Sequence, residues 1–115
     1  MKENVIKDKS FAFALRIVKL YKFLCESKKE YVLSKQLLRI GTAVGALIRE
    51  AEHAESKADF IHKIAIAQKE ANETEYWIEL LFRSEYIDEN EYQSVKTDVQ
   101  KLNKIIASII ITSKK

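Results

Sequence analysis

Residues 56–83 read SKADFIHKIAIAQKEANETEYWIELLFR, and the period of their apolar residues decides the fold class. Phe60, Ile64, Ala67, Ala71, Ile78 and Phe82 recur at intervals of three, four and seven, which lines them up on one stripe of an α-helix. Ser56-x-x-Asp59 at the front is a capping pattern, in which a hydroxyl accepts one of the amides that a helix start leaves free. Ile66, Trp77 and Leu80 fall on a second face, with Glu73 between them. A tryptophan beside a carboxylate on a second apolar face suits a contact between subunits, where aromatics are enriched. The alternative is a core indole whose N–H finds a buried partner.

Three further helices follow from the same reading. The second covers about 32–54 and spaces Leu37, Val44, Ile48 and Ala51 helically. It contains Gly41-Thr-Ala-Val-Gly45, two glycines four apart on one face. Glycine costs roughly 1 kcal/mol in a helix relative to alanine, so close approach of a neighbouring backbone is the expected compensation. The fourth helix, about 88–113, opens with Asp88-Glu-Asn-Glu91, acids that complement the helix dipole. Its core stripe is Tyr92, Val95, Val99, Leu102, Ile106 and Ile109. The first helix, about 8–26, carries apolar residues over more than half of its circumference, whereas a surface helix needs a stripe of only ~100°. That surplus points to a second copy of the chain. Phe13, Ile17 and Leu20, with Ile66, Glu73, Trp77 and Leu80, form the candidate oligomer interface. No segment alternates in the manner of a strand. The expected fold is all-α, an antiparallel up-down-up-down four-helix bundle that assembles as a homo-oligomer.

Composition agrees. The 115 residues include no proline and two glycines, with 47% hydrophobic and 32% charged, which suits one domain over 1–115 and excludes turn-rich sandwiches and disordered linkers. Cys25 is the sole cysteine, so an internal disulfide and a multi-cysteine zinc site are excluded. The charged start Met1-Lys2-Glu3-Asn4 lacks the apolar stretch of a secretion signal. The apolar cluster Ile105 to Ile111 is interrupted by Ser108 and far shorter than the ~20 residues of a membrane span. A cytoplasmic protein without membrane contact is expected.

The net charge of +3 hides a division. Residues 1–49 carry 11 Lys/Arg against 4 Asp/Glu, a net of +7. Residues 50–91 carry 4 against 12, a net of −8, and residues 92–115 carry 5 against 1, a net of +4. Such blocks attract one another within a fold, join subunits, or present a basic surface to an acidic polymer.

Catalytic chemistry finds little footing. Glu50-x-x-His53 and Asp59-x-x-His62 have the spacing of dimetal-bundle ligands, but that site also needs an inward carboxylate from each of the other two helices. The first helix has only Glu26 at its far end, and the fourth only Asp98 beyond its opening turn. Capping or solvated roles suit both histidines better. Cys25 has no histidine near it in sequence, and the glycine pair lacks the preceding strand and Gly-Lys-Ser/Thr of a phosphate loop. No catalytic residue, metal or cofactor is expected.

The run Lys69-Glu-Ala-Asn-Glu-Thr-Glu-Tyr-Trp-Ile-Glu-Leu-Leu81 is distinctive. With Gln36-Leu-Leu-Arg39, the glycine segment, Glu50-Ala51, Asp59-Phe-Ile61 and the Ser10-Phe11 to Leu20-Tyr-Lys22 opening, it resembles the bacterial 23S rRNA intervening-sequence protein family. The resemblance implies a four-helix bundle in a ring-like homopentamer with no assigned enzymatic activity. Genes of this family were first noticed inside insertions in bacterial ribosomal RNA genes, which is genetic context and not evidence of ribosome binding. A relative in architecture, the accessory variability determinant protein of diversity-generating retroelements, associates with a reverse transcriptase and nucleic acid through basic surfaces. Carried over by position and charge, that implies Arg16, Lys19, Lys22, Lys35 and Arg39 as nucleic-acid-binding candidates, with RNA, DNA or a nucleic-acid-processing protein as partner. The chain departs from the family pattern at Ile40 and Ala43, where serine is usual, at Leu47, where asparagine is common, and at Arg49, where a small residue is usual. A reduced polar network on the second helix is the expected consequence.

Overall fold

Four α-helices, α1 (Lys2–Ser27), α2 (Leu33–Ala51), α3 (Lys57–Arg83) and α4 (Glu89–Lys114), account for the described residues of the computed structural model, with no strands among them. The description covers residues 2–115, with side chains from residue 4 onward; the charged side chains of Lys2 and Glu3, and Met1 itself, lie outside it. Every helix contributes to one apolar core, where Ile17, Leu37, Val44, Ile78, Val99 and Ile106 lose essentially all contact with solvent. α1 packs on α2, α2 on α3, α3 on α4, and α1 also meets α4. The molecule measures 45 × 21 × 19 Å. A 26-residue helix is ~39 Å long, so the helices run along the long axis.

The expected cores of α2 and α4 are found in place, with Leu37, Val44, Ile48 and Ala51 buried on one and all six stripe residues on the other. On α3 the stripe continues through Thr74 and ends on Leu81; Phe82 stands half-buried at its edge and stacks on Tyr92 at 4.6 Å. Thr74 is tolerated in the core because its hydroxyl donates to the Glu70 carbonyl at 2.8 Å. α1 begins earlier than its period suggests, because Ile6 is buried and Lys7 pairs with Glu52 of the α2–α3 connection at 3.2 Å. α2 ends sooner than expected. The amides of Glu52, His53 and Ala54 turn back to the carbonyls of Arg49, Glu50 and Ala51, a tightened last turn that takes His53 off the helix.

Capping is supplied locally at α3 and α4. Ser56 Oγ accepts the Asp59 amide at 3.0 Å, and Asp88 Oδ1 accepts the Glu91 amide at 2.8 Å. The Glu55 amide donates back to Asp59, and this bond, with Lys63 and His62 nearby, holds the Asp59 carboxyl below its ordinary pKa. The start of α2 is built differently. Val32 occupies the N-cap and has no side-chain acceptor to offer, so Glu30 reaches forward from the connection. Its carboxylate accepts the amides of Val32, Leu33 and Ser34 at 3.1, 2.9 and 2.7 Å. Burial pushes the Glu30 carboxyl up, but those donors outweigh it and leave it below the ordinary glutamate value.

Candidate nucleic-acid interface

The five basic candidates separate into two sets. Arg16 lies between α1 and α4 and is engaged on three sides. It donates to Asp98 at 2.6 Å, to Ser94 at 2.7 Å and to Glu91 at 3.3 Å. A guanidinium with three acceptors of its own chain has little left for a phosphate, so Arg16 is a clamp between helices. Lys19, Lys22, Lys35 and Arg39 are exposed and make no ion pair among the described residues. Arg39 only touches Gln36, at 3.1 Å. Lys19 and Lys22, three apart, occupy adjoining arcs of α1, and Lys35 and Arg39 share one face of α2. Lys28 and Lys29, in the connection between these helices, are also exposed and were not among the candidates.

Beside Lys19 an open cleft of about 810 Å³ lies between the second half of α1 and the α3–α4 connection. Leu20, Phe23, Phe82, Tyr86 and Ile87 provide its apolar surface. Arg16, Lys19 and Lys28 supply one charged wall, and Glu85, Asp88 and Glu91 the other. A second opening of about 180 Å³ follows the same seam past Lys9 and Lys101, and Arg16 borders both. Lys28 Nζ stands 5.9 Å from the centre of the Phe23 ring, and 42% of Phe23 is exposed.

The expected oligomer interface needs correction on α1. Phe13, Ile17 and Leu20 are buried in the chain's own core, at 3%, 0% and 4% exposure, and offer no surface to a partner. Ile17 faces Gly41. A methyl added at Gly41 would lie 2.9 Å from Ile17 Cγ1, and one at Gly45 would lie 3.2 Å from the Ser10 carbonyl oxygen. At both glycines α1 closely approaches the α2 backbone. The apolar surplus of α1 is carried instead by Phe11 and Leu15, about half exposed, and Phe23, with Arg49 lying over the Phe11 ring at 4.9 Å. On α3, Ile66, Glu73, Trp77 and Leu80 are half-buried. Trp77 packs against the core and meets the exposed Tyr76 edge-on at 5.2 Å.

His53 and His62 are both exposed around the α2–α3 connection. Among the described residues no group of three or more His, Cys, Asp or Glu side chains is placed to hold a metal ion. Cys25 has Ser34 Oγ at 3.8 Å and interacts with the Tyr21 hydroxyl. No described helix is long and apolar enough to cross a membrane.

The family model for the 23S rRNA-intervening sequence protein matches residues 2–108. The chain belongs to this family. A crystal structure of a protein of unknown function from the S23 ribosomal protein family of Bacteroides thetaiotaomicron is similar at 62% identity and a TM-score of 0.95, covering 96% of this chain and 98% of that one. No curated protein sequence matches. The resemblance read from residues 69–81 and the glycine segment was thus correct.

Within the family fold, three features escaped sequence reasoning. Glu30 lay in a stretch read only as a break, although an acid just before Val-Leu-Ser was a signal for a forward-reaching cap. Asp98 is the lone acid of residues 92–115, which marked it as the partner of a cation on a neighbouring helix. Glu70 Oε2 is buried without a hydrogen-bond partner among the described residues. It lies on the side of α3 away from Asn72 and Glu75, which reach α4, and so toward α2.

Proposed function

We propose that this chain is a non-catalytic, cytoplasmic subunit of a homo-oligomer that associates with nucleic acid as a ribonucleoprotein adaptor. The carrying observation is that Lys19, Lys22, Lys28, Lys29, Lys35 and Arg39, on the second half of α1, the start of α2 and the connection between them, stand exposed with no ion pair among the described residues. Unneutralised cations at this density attract polyanions and release counterions when phosphates replace them. The family's association with ribosomal RNA by name supports the same polymer. The short connections 28–32, 52–56 and 84–88 support an antiparallel, single-domain bundle, since they are long enough only to turn the chain back. Exposed Phe11, Leu15 and Tyr76 support self-assembly, for which the family resemblance suggests five subunits.

Fluorescence anisotropy with labelled RNA tests the reading. Binding should weaken roughly a hundredfold for a fourfold rise in salt if four phosphates are engaged, and Lys22→Glu/Lys35→Glu/Arg39→Glu should flatten that slope. No binding at low salt, or a slope untouched by the triple variant, would refute it. The exposed apolar residues favour a second reading, a self-assembly module that binds no nucleic acid. In that case the oligomer breaks on Leu15→Glu while RNA stays unbound at every salt concentration.

A further inference from the structure

The cleft at the end of the α1–α4 seam has the chemistry of a nucleotide site. Its volume of about 810 Å³ lies within the range of small-molecule pockets, and its surface combines apolar and aromatic side chains with a few charged groups. Those charges are not equivalent. Arg16 and Glu91 neutralise each other across the seam, and Asp88 caps α4. Lys19 and Lys28 on one wall and Glu85 on the other have no ion pair among the described residues. The free groups therefore ask for a ligand with an anion at one end, a hydrogen-bond donor at the other and a flat apolar body between.

Glu85 carries a second mark. Its φ of 68° lies in the left-handed region, just past the end of α3, where the Tyr86 amide closes on the Leu81 carbonyl at 2.9 Å. Glycine is the relaxed residue at such a position. A glutamate held there keeps a carboxylate on the cleft wall at a conformational cost, as groups that contact ligands often do.

The geometry points to a nucleotide with an exocyclic amine as the occupant. Its base would lie against Phe23 and Tyr86, its phosphate on Lys19 and Lys28, and its amino edge on the Glu85 carboxylate. Base–aromatic stacking and carboxylate acceptance of a cytosine or adenine amine are established recognition modes. The nucleotide is either free or an unpaired residue of a strand, and in the latter form this inference rests on the nucleic-acid reading above.

CMP and UMP differ at the ring position where one presents an amine and the other a carbonyl, so they make the deciding pair. Titrations of the full chain followed by NMR should show CMP binding about fivefold tighter than UMP, with shifts at Lys19, Phe23 and Glu85. Glu85→Gln should erase that preference, since an amide serves either edge, and Phe23→Ala should weaken both nucleotides about tenfold. Lys57→Glu, at the opposite end of α3 and outside the cleft, should leave mononucleotide binding unchanged. Oligo(C) bound better than a duplex assigns the site to unpaired strand residues, and CMP binding without any polymer binding assigns it to free nucleotides and refutes only the polymer reading. RNA binding that persists unaltered in Phe23→Ala, with no CMP shift in the cleft, overturns the nucleotide site and leaves the basic-surface reading standing. CMP and UMP binding with equal affinity overturns the role of Glu85.

Discussion

Helix α1 is held against α2 by contact of small residues and against α4 by charge. On the first side Gly41 receives Ile17, and Gly45 admits the Ser10 backbone, so the two helices meet with no space for an added methyl. On the second side Arg16 bridges to Asp98, Ser94 and Glu91, and openings of about 810 and 180 Å³ lie to either side of it. Side-chain-free packing brings many atoms into dispersion contact, and the opening on that side, beside Phe11, Gly45 and Arg49, is only about 210 Å³. A long side chain that spans a seam holds it apart as well as together. One helix thus has a closely packed side and a side that borders the larger cleft.

Substitutions along the two sides should separate them clearly. Gly41→Leu forces a branched side chain into Ile17, and overpacking there should cost about 3 kcal/mol, read as a lower midpoint in urea. A midpoint within error of the parent would break the comparison at its firm end. Glu30→Ala removes the acceptor of three amides at the start of α2 and should cost about 2 kcal/mol. The same group gives an acid signature. Its pKa is lowered in the fold, so its stabilisation is complete above the ordinary glutamate value and is lost as pH falls through the lowered native one. Melting temperature against pH should therefore drop less steeply at acid pH in Glu30→Ala than in the parent.

Effects on the α4 side should be smaller. Arg16→Met keeps the aliphatic stem but removes the clamp, and with its acceptors partly solvated the loss should be about 1 kcal/mol. High salt should narrow the difference between Arg16→Met and the parent, whereas the cost of Gly41→Leu should be indifferent to salt. Glu85→Gly relieves a left-handed glutamate but loosens the unfolded chain, so a net gain of about 0.5 kcal/mol is expected. A loss of stability instead would show that Glu85 holds the cleft wall in place by packing.

Much of the fold was legible because it depends on neighbours in sequence. The α4 stripe from Tyr92 to Ile109 and the cap at Ser56 follow from helical period and from a side chain three residues before the amide that it accepts. Element ends were less legible. Whether α1 starts at Lys2 or at Asp8 depends on whether Ile6 finds a core, which no local pattern states. The candidate site was legible only as a list of charges. Arg16, Lys19 and Lys22 look alike in sequence, yet one is consumed by carboxylates of α4 and the others are exposed.

By itself, then, the sequence determined four helices, their buried stripes, the need for a close neighbour at Gly41 and Gly45, and membership of a family through residues 69–81. Tertiary structure alone decided where the wide apolar arc of α1 goes. Phe13, Ile17 and Leu20 turn inward, and Phe11, Leu15 and Phe23 stay in solvent. It also decided that Arg16 meets Asp98 across 82 residues of chain, and that a cleft opens beside them. The physical reason is one of range. Helical period and capping are settled within a turn, but the partner of a charge and the filling of a seam are settled only when distant helices come together.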